Sequence, residues 1–412
     1  MTKLRPALLI AAAAAMTVSL AACSGTSGSG TSSQAVTAVT LTVWGPQEDQ
    51  ADSSSWLPKE EAAFQAAHPE YNITWKNAVV SEGDAATTVK QDPSSAADVY
   101  MFANDQLGAL IQANAIGKLP QASIDQVKKQ NSEVMIDSVT GPDGSLYGVP
   151  YTANTWFMYY DKSKFTSDQI KSLDSMLSVG KVSFPIDNSW YLPSFYMGNG
   201  CTLFGPDGTD ESAGIDFSGQ KATDVTTYLT TLVTNPNFSD DSNGSGKAGI
   251  QSGTVDAYFS GTWDAADVQK ALGSNFAAAE PPTFTLNGQQ VQIKPFAGSK
   301  AVAFNPNSKN PQAAAQFAAF LGSTQAQQDH YTMRDIVPSD NSLATDSTIS
   351  ADPVAIAQFD TIKNVAALQP TVAAMANFWT PAQSFGQAIL SKDVNASNAA
   401  DKTAAWNAGY AS

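Results

Sequence analysis

The chain has 412 residues, 43% of them hydrophobic and 15% charged, with a formal net charge of −16. This length allows two lobes with separate cores, and the acidic balance argues against nucleic acid as a partner. The two histidines, His68 and His330, show no paired-ligand spacing, so neither a metal site nor a cofactor is expected.

The chain opens with Lys3 and Arg5, followed by the alanine-rich stretch Pro6 to Leu20, which is too short to read as a membrane span. Leu20-Ala21-Ala22-Cys23 then resembles the bacterial lipobox, which implies removal of residues 1–22 as a signal peptide and lipidation of Cys23. The alternative is an ordinary signal peptide in which Cys23 is incidental. Loss of Lys3 and Arg5 leaves 20 basic against 38 acidic residues, a net charge of −18. Residues 23–38, rich in Ser, Gly and Thr, read as a flexible tether. With Cys23 lipidated, Cys201 has no internal disulfide partner and is expected to be a small buried or loop residue rather than a nucleophile.

From Val39 the chain alternates as a strand through Trp44, carries helical spacing from Trp56 to Ala67, and returns to strand at Asn72 to Trp75. Thr87 to Gln91 reads as a helix end and Ala97 to Phe102 as a buried strand, giving the β-α-β-α-β rhythm of an α/β lobe. The turn Gly141-Pro142-Asp143-Gly144 precedes Leu146 to Tyr151, and Trp156 to Asp161 is apolar enough for a second buried strand. Helices are predicted over Asp168 to Val179, Ala222 to Thr234 and Trp263 to Leu272. Asn287-Gly288 predicts a tight hairpin between Thr283–Leu286 and Val291–Ile293. Ala301 to Phe304 reads as a strand, and Pro311 to Leu321 as a helix with Asn310 as N-cap. The chain from Asp352 onward is helical in pattern. Gly244-Ser245-Gly246-Lys247-Ala248-Gly249 spells a dinucleotide fingerprint, but the residues before it read as loop, so it fails its context test.

Five separated segments together resemble the extracellular solute-binding proteins of sugar ABC importers, of the maltose/maltodextrin-binding type. They are Asp98 to Asp105, Tyr147 to Tyr151, Phe259-Ser260-Gly261-Thr262-Trp263, Phe296 to Asn305 with the helix that follows, and Gln369-Pro370 with Met375 to Trp379. The resemblance implies two α/β lobes of the type II periplasmic-binding-protein kind, joined by hinge segments, with a sugar in the cleft. The expected lobes are residues 39–150 with 302–350, and 151–301 with 351–412. It further implies a monomeric binding protein, not an enzyme, that is anchored to the outer face of the cell membrane and delivers an oligosaccharide to ABC permease subunits.

A pyranose presents an apolar face and a rim of hydroxyls, so its pocket needs flat rings and fixed polar groups. By the resemblance, Phe102, Trp190, Trp263 and Trp379 take the stacking positions, and Glu48, Asp49 and Asp105 the hydroxyl-binding positions. Asn154 and Asn188 stand where relatives carry carboxylates, and Gln106 where they often carry a basic residue beside Asp105. Trp44 and Trp75 lie in strand patterns and read as core. Asp49 and Asp105 could equally be N-caps of the elements that follow them, Phe102 the end of a buried strand, and Trp379 part of a helix core. A secreted glycoside hydrolase with paired carboxylates is the alternative from another class, and a receptor for peptides or charged solutes with a basic cleft is a third.

Overall fold

The structure, a computed structural model, describes residues 36–92 and 96–410. The leader, Cys23 and residues 24–35 of the expected tether lie outside the described residues. The strands are β1 (Thr37–Gly45), β2 (Tyr71–Val79), β3 (Val99–Ala103), β4 (Val149–Ala153), β5 (Phe157–Asp161), β6 (Val182–Phe184), β7 (Thr202–Leu203) and β8 (Ile215–Asp216). They continue as β9 (Phe238–Asp240), β10 (Ala257–Ser260), β11 (Phe276–Ala279), β12 (Thr283–Leu286), β13 (Gln289–Gln292), β14 (Phe296–Ala297), β15 (Ser299–Phe304) and β16 (Ala367–Leu368).

Two five-stranded sheets organise the molecule. The first has the order β2-β1-β3-β15-β4, with β1 parallel to β2 and β3, and β15 antiparallel to both its neighbours. The second has the order β11-β5-β10-β6-β9, with β10, β6 and β9 parallel and β5 antiparallel to both its neighbours. Each sheet therefore combines parallel strands joined by helices with a returning strand, the α/β architecture that the sequence predicts.

The cores follow from side-chain alternation along the strands. On β5, Met158 faces one side of the second sheet with Val182, Phe184 and Phe259, while Phe157 and Tyr159 face the other with Tyr258, Ile250 and Val268. The first sheet has its own core, drawn from residues between Val39 and Tyr151 and between Ala301 and Ala326. Tyr331, Val337, Leu343 and Ile349, read from sequence as first-lobe residues, instead pack with β5, β10 and β11 of the second sheet. The long-range return of the chain decides where they go, and their local pattern carries no trace of it. Trp44 is buried against Tyr100, and Trp75 is half-buried against Phe317, both as part of the first core.

Several local expectations are met to the residue. The helices Trp56–Ala67 and Pro311–Leu321 have the anticipated bounds. Asn287 (φ 52°) and Gly288 (φ 79°) both adopt the left-handed conformation that a two-residue hairpin of this type requires. Others differ for identifiable reasons. Asn310 does not cap with its side chain; its amide donates to the Thr40 carbonyl at 3.1 Å and ties the helix to β1. The helix expected from Asp168 to Val179 is broken at Ser172, whose extended backbone and hydroxyl cap start a separate turn at Leu173–Leu177. A three-residue strand, β9, does precede the glycine-rich run, contrary to expectation. Even so, the Asp241 carboxylate accepts from the Gly246 N–H and fills the place a phosphate would need. Cys201 is buried, and burial pushes its thiol up to about 12, which leaves it unreactive.

Three segments pass between the sheets. β4 leads into β5 through Asn154, whose N–H donates to the Gly298 carbonyl at 2.8 Å, and Gly298 itself joins β14 to β15. The third follows the helix Thr324–Arg334, where the Thr152 hydroxyl of β4 donates to the Val337 carbonyl at 2.6 Å. Beside the crossings, the Gln369 N–H next to β16 donates to the Ala297 carbonyl at 2.7 Å and the Asn104 side chain donates to the Gln369 carbonyl at 3.1 Å. The contact is tight at Gly108, whose N–H reaches the Thr371 carbonyl at 2.9 Å and where a Cβ would lie 2.5 Å from the Ala373 nitrogen.

Two buried acids in the helix Trp56–Ala67 set a pH dependence. Burial raises Glu60 and Glu61 to about 7, with Asp329 adding to the rise at Glu60. Between their ordinary 4.5 and 7 the folded chain holds more protons than the unfolded chain, so this part of the stability falls as pH rises through that window. The ligand-free protein is therefore expected to melt at a higher temperature at pH 5.5 than at pH 7.5, and the Glu60→Gln/Glu61→Gln variant to show a smaller difference. Calorimetric melting at the two pH values measures both.

Candidate functional site

The parallel strands β1, β2 and β3 end on one side of the first sheet, where α/β folds gather ligand residues. Past these ends lie Glu48 and Asp49, Ser81 and Glu82, and Asp105. Opposite them, beyond β10, the chain turns at Gly261 and presents Trp263 in the short 3-10 helix Thr262–Asp264. Two adjoining cavities occupy the space between. One, of about 430 Å³, is lined by Asp105, Asn154, Trp190, Trp263, Gln369 and Trp379 among others. The second, of about 500 Å³, is lined by residues that include Glu48, Asp49, Tyr151, Trp263, His330 and Arg334. Ser81, Glu82, Trp263 and Lys300 line both, so the two cavities are the ends of one groove.

The first end is aromatic on one wall. Trp263 is 50% exposed and stands 6.0 Å from Trp190, ring centre to ring centre, with 37° between their planes. Trp190 is fixed in turn by its indole N–H, which donates to the Gln369 side chain at 3.1 Å. Trp379, at the start of the helix Trp379–Leu390, is half-buried and edge-on to Phe296 and Phe378. All three indoles come from the part of the chain that builds around the second sheet. The facing wall supplies Asp105, whose carboxylate meets only its own backbone N–H among the described residues and is pushed up to about 7 by burial.

Gly261 holds Trp263 in place. A Cβ on Gly261 would lie 2.1 Å from the six-membered ring of Trp263. The backbone there (φ −102°) suits any residue, so Gly261→Ala is expected to fold and to displace the indole. A severalfold weaker affinity for the sugar expected from the sequence resemblance, with an intact melting transition, is the expected result by calorimetry.

The second end is ionic. The Asp49 carboxylate accepts from His330 Nε2 at 2.9 Å and from Arg334 at 2.6 Å. Glu82 accepts from the Tyr151 hydroxyl at 2.7 Å and pairs with Lys300 at 3.2 Å. Burial works against the Glu82 carboxylate, but Lys300 and the tyrosine outweigh it and hold the group below its ordinary value.

Six of the nine residues expected from sequence thus meet in the groove with room for a ligand: Glu48, Asp105, Asn154, Trp190, Trp263 and Trp379. Asp49 also lines it, but with an oxygen committed to His330 and Arg334. Phe102 does not reach it: the ring is fully buried in the first core, because its position on β3 points it under Gly148. Asn188 does not line it either; its side chain accepts from the Trp190 N–H at 2.9 Å and shapes the loop that delivers the indole. Gln106 braces the Glu82 loop by accepting from the Ala86 N–H and donating to the Glu82 and Gly83 carbonyls.

Sequence reading missed Glu82, Tyr151, Lys300, Gln369 and Arg334. Lys300 sits at a register irregularity between β15 and β4, a device that re-aims a side chain. A larger cavity of about 850 Å³ lies elsewhere, lined among the described residues by Val134, Met135, Pro338, Ile356, Phe359 and Ile362 and others, none of them tryptophan.

Two α/β sheets with separate cores, three crossing segments, and a groove with rings on one wall and hydrogen-bonding groups on the other define a two-lobed binding protein. Its relatives agree. A family model described as a bacterial extracellular solute-binding protein matches residues 62–357, and the chain belongs to that family. A solved structure described as being with acarbose is 48% identical, with a TM-score of 0.85, covering 90% of this chain and 98% of that one. The maltodextrin-binding protein MalE1 from L. casei, solved without ligand, is 27% identical with a TM-score of 0.83, covering 90% and 99%. A maltooligosaccharide ABC transporter solute-binding lipoprotein of Streptococcus pneumoniae is 25% identical over 322 residues, 74% of each chain. The family binds solutes and is not one of enzymes, so the hydrolase alternative is set aside.

Proposed function

We propose that this chain captures a linear α-glucan, or a close analogue such as acarbose, and delivers it to an ABC permease while lipidated Cys23 holds it at the outer face of the cell membrane. The observation that carries the reading is the wall formed by Trp190, Trp263 and Trp379 opposite Asp105. Ring faces take the apolar faces of successive glucose units, and the opposing carboxylate accepts from their hydroxyls. Relatives associated with acarbose, maltodextrin and maltooligosaccharides support the same ligand class.

The lobes we propose are residues 39–153 with 299–329, and 154–298 with 350–410. Residues 330–349 bridge them, since His330 and Arg334 bond to Asp49 while Tyr331 and Val337 pack with the second sheet. Hinge bending at the three crossings would close the groove on the sugar.

A melting panel of maltotriose, maltotetraose, acarbose, galactooligosaccharides and cellotriose tests the reading. A ligand held only by the folded chain stabilises it by about 2.7 kcal/mol at a hundredfold excess over Kd. The α-linked sugars are expected to raise the melting temperature. A rise with only the β-linked sugars, or with none, overturns the assignment.

A further inference from the structure

Lys300 and Glu82 stand where the aromatic end of the groove opens into the ionic end, and both cavities share them. The lysine is on β15, the glutamate on the loop after β2, and the Tyr151 hydroxyl bonds to the same glutamate oxygen as Lys300. The glutamate loop is itself held by Gln106. An ammonium group carries three donors, and among the described residues Lys300 has one ion-pair acceptor, Glu82. Donors therefore remain at the pinch of the groove, on a side chain 28% exposed.

We infer that Lys300 is a chain-length determinant. It bonds the sugar unit that passes from the tryptophan cavity over the Glu82 pair into the cavity beside Glu48 and Asp335. A short ligand lies against Trp190, Trp263 and Trp379 and meets Lys300 only at the edge of that cavity; a longer one recruits the remaining ammonium donors together with the second cavity. The inference rests on the proposed function and deepens it, by assigning the site to glucans long enough to cross from one compartment to the other.

The test compares maltotriose with maltopentaose by titration calorimetry. The wild-type protein is expected to bind maltopentaose more tightly, and Lys300→Met to lose about fivefold more affinity for maltopentaose than for maltotriose. Because Lys300→Met leaves Glu82 buried without its cation, the Glu82→Gln/Lys300→Met variant is measured beside it and is expected to show the same length-selective loss. Equal losses for both sugars, no loss for either, or a wild-type protein with equal affinity for both overturns the inference and leaves the proposed function standing. If neither sugar binds to the wild-type protein, both fall.

Discussion

Trp263→Ala is expected to weaken oligosaccharide binding more than tenfold, at least about 1.4 kcal/mol, with the melting temperature of the ligand-free protein almost unchanged. The two effects separate because half of this side chain is already in water in the free protein. Its contacts are the neighbouring Trp190 ring and the bare backbone of Gly261, not a core. Deleting it opens no buried cavity, so the folded state loses little. A bound pyranose, by contrast, would cover the exposed face, and the loss appears on binding. Trp379→Ala makes the useful contrast: its ring is half-buried against Phe296 and Phe378, so affinity and stability should fall together. Calorimetric titration and melting of both variants measure this, and an unchanged affinity in Trp263→Ala would remove the stacking wall from the site.

The same distinction explains what the sequence made legible. Trp263 and Asp105 follow strands directly, at ends where a parallel sheet exposes its ligand residues, so strand assignment alone brought them near the groove. Phe102 lies on β3 three residues before Asp105, on the side of the pleat that faces the core; an error of one residue in register is enough to move a ring from groove to interior. Asn188 departs from its expected place for a related reason: it is two residues from Trp190 and bonds to that residue's backbone, so it shapes the site without facing it. Glu82 and Lys300 had no local signal. They lie 218 positions apart, and only the return of β15 between β3 and β4 makes them partners. The fold was readable because hydrophobic periodicity is local, whereas the polar half of the site is assembled by pairings that periodicity does not encode.

Asp49→Ala is expected to cost about 3 kcal/mol of folding stability, the low end for breaking a buried ion pair by removal of one partner. The carboxylate is 3% exposed, and its oxygen accepts from both His330 and Arg334. Without it, Arg334, 30% exposed, can turn toward water, but His330 cannot. That imidazole packs against Trp56, at 4.1 Å, and Tyr151, at 5.8 Å, and its Nδ1 has no hydrogen-bond partner among the described residues. Losing the acceptor at Nε2 leaves the whole ring unbonded in the interior. Asp49→Asn keeps an oxygen to accept from Nε2 and should lose less, so urea unfolding is expected to rank wild type above Asp49→Asn and Asp49→Ala last. The sequence resemblance makes Asp49 a sugar-binding carboxylate, and the same experiment separates the two roles. A variant that unfolds like wild type yet binds sugar weakly would return Asp49 to the ligand. A destabilised Asp49→Asn that still binds oligosaccharide would fix it as the tie between the loop after β1 and the helix that carries His330 and Arg334.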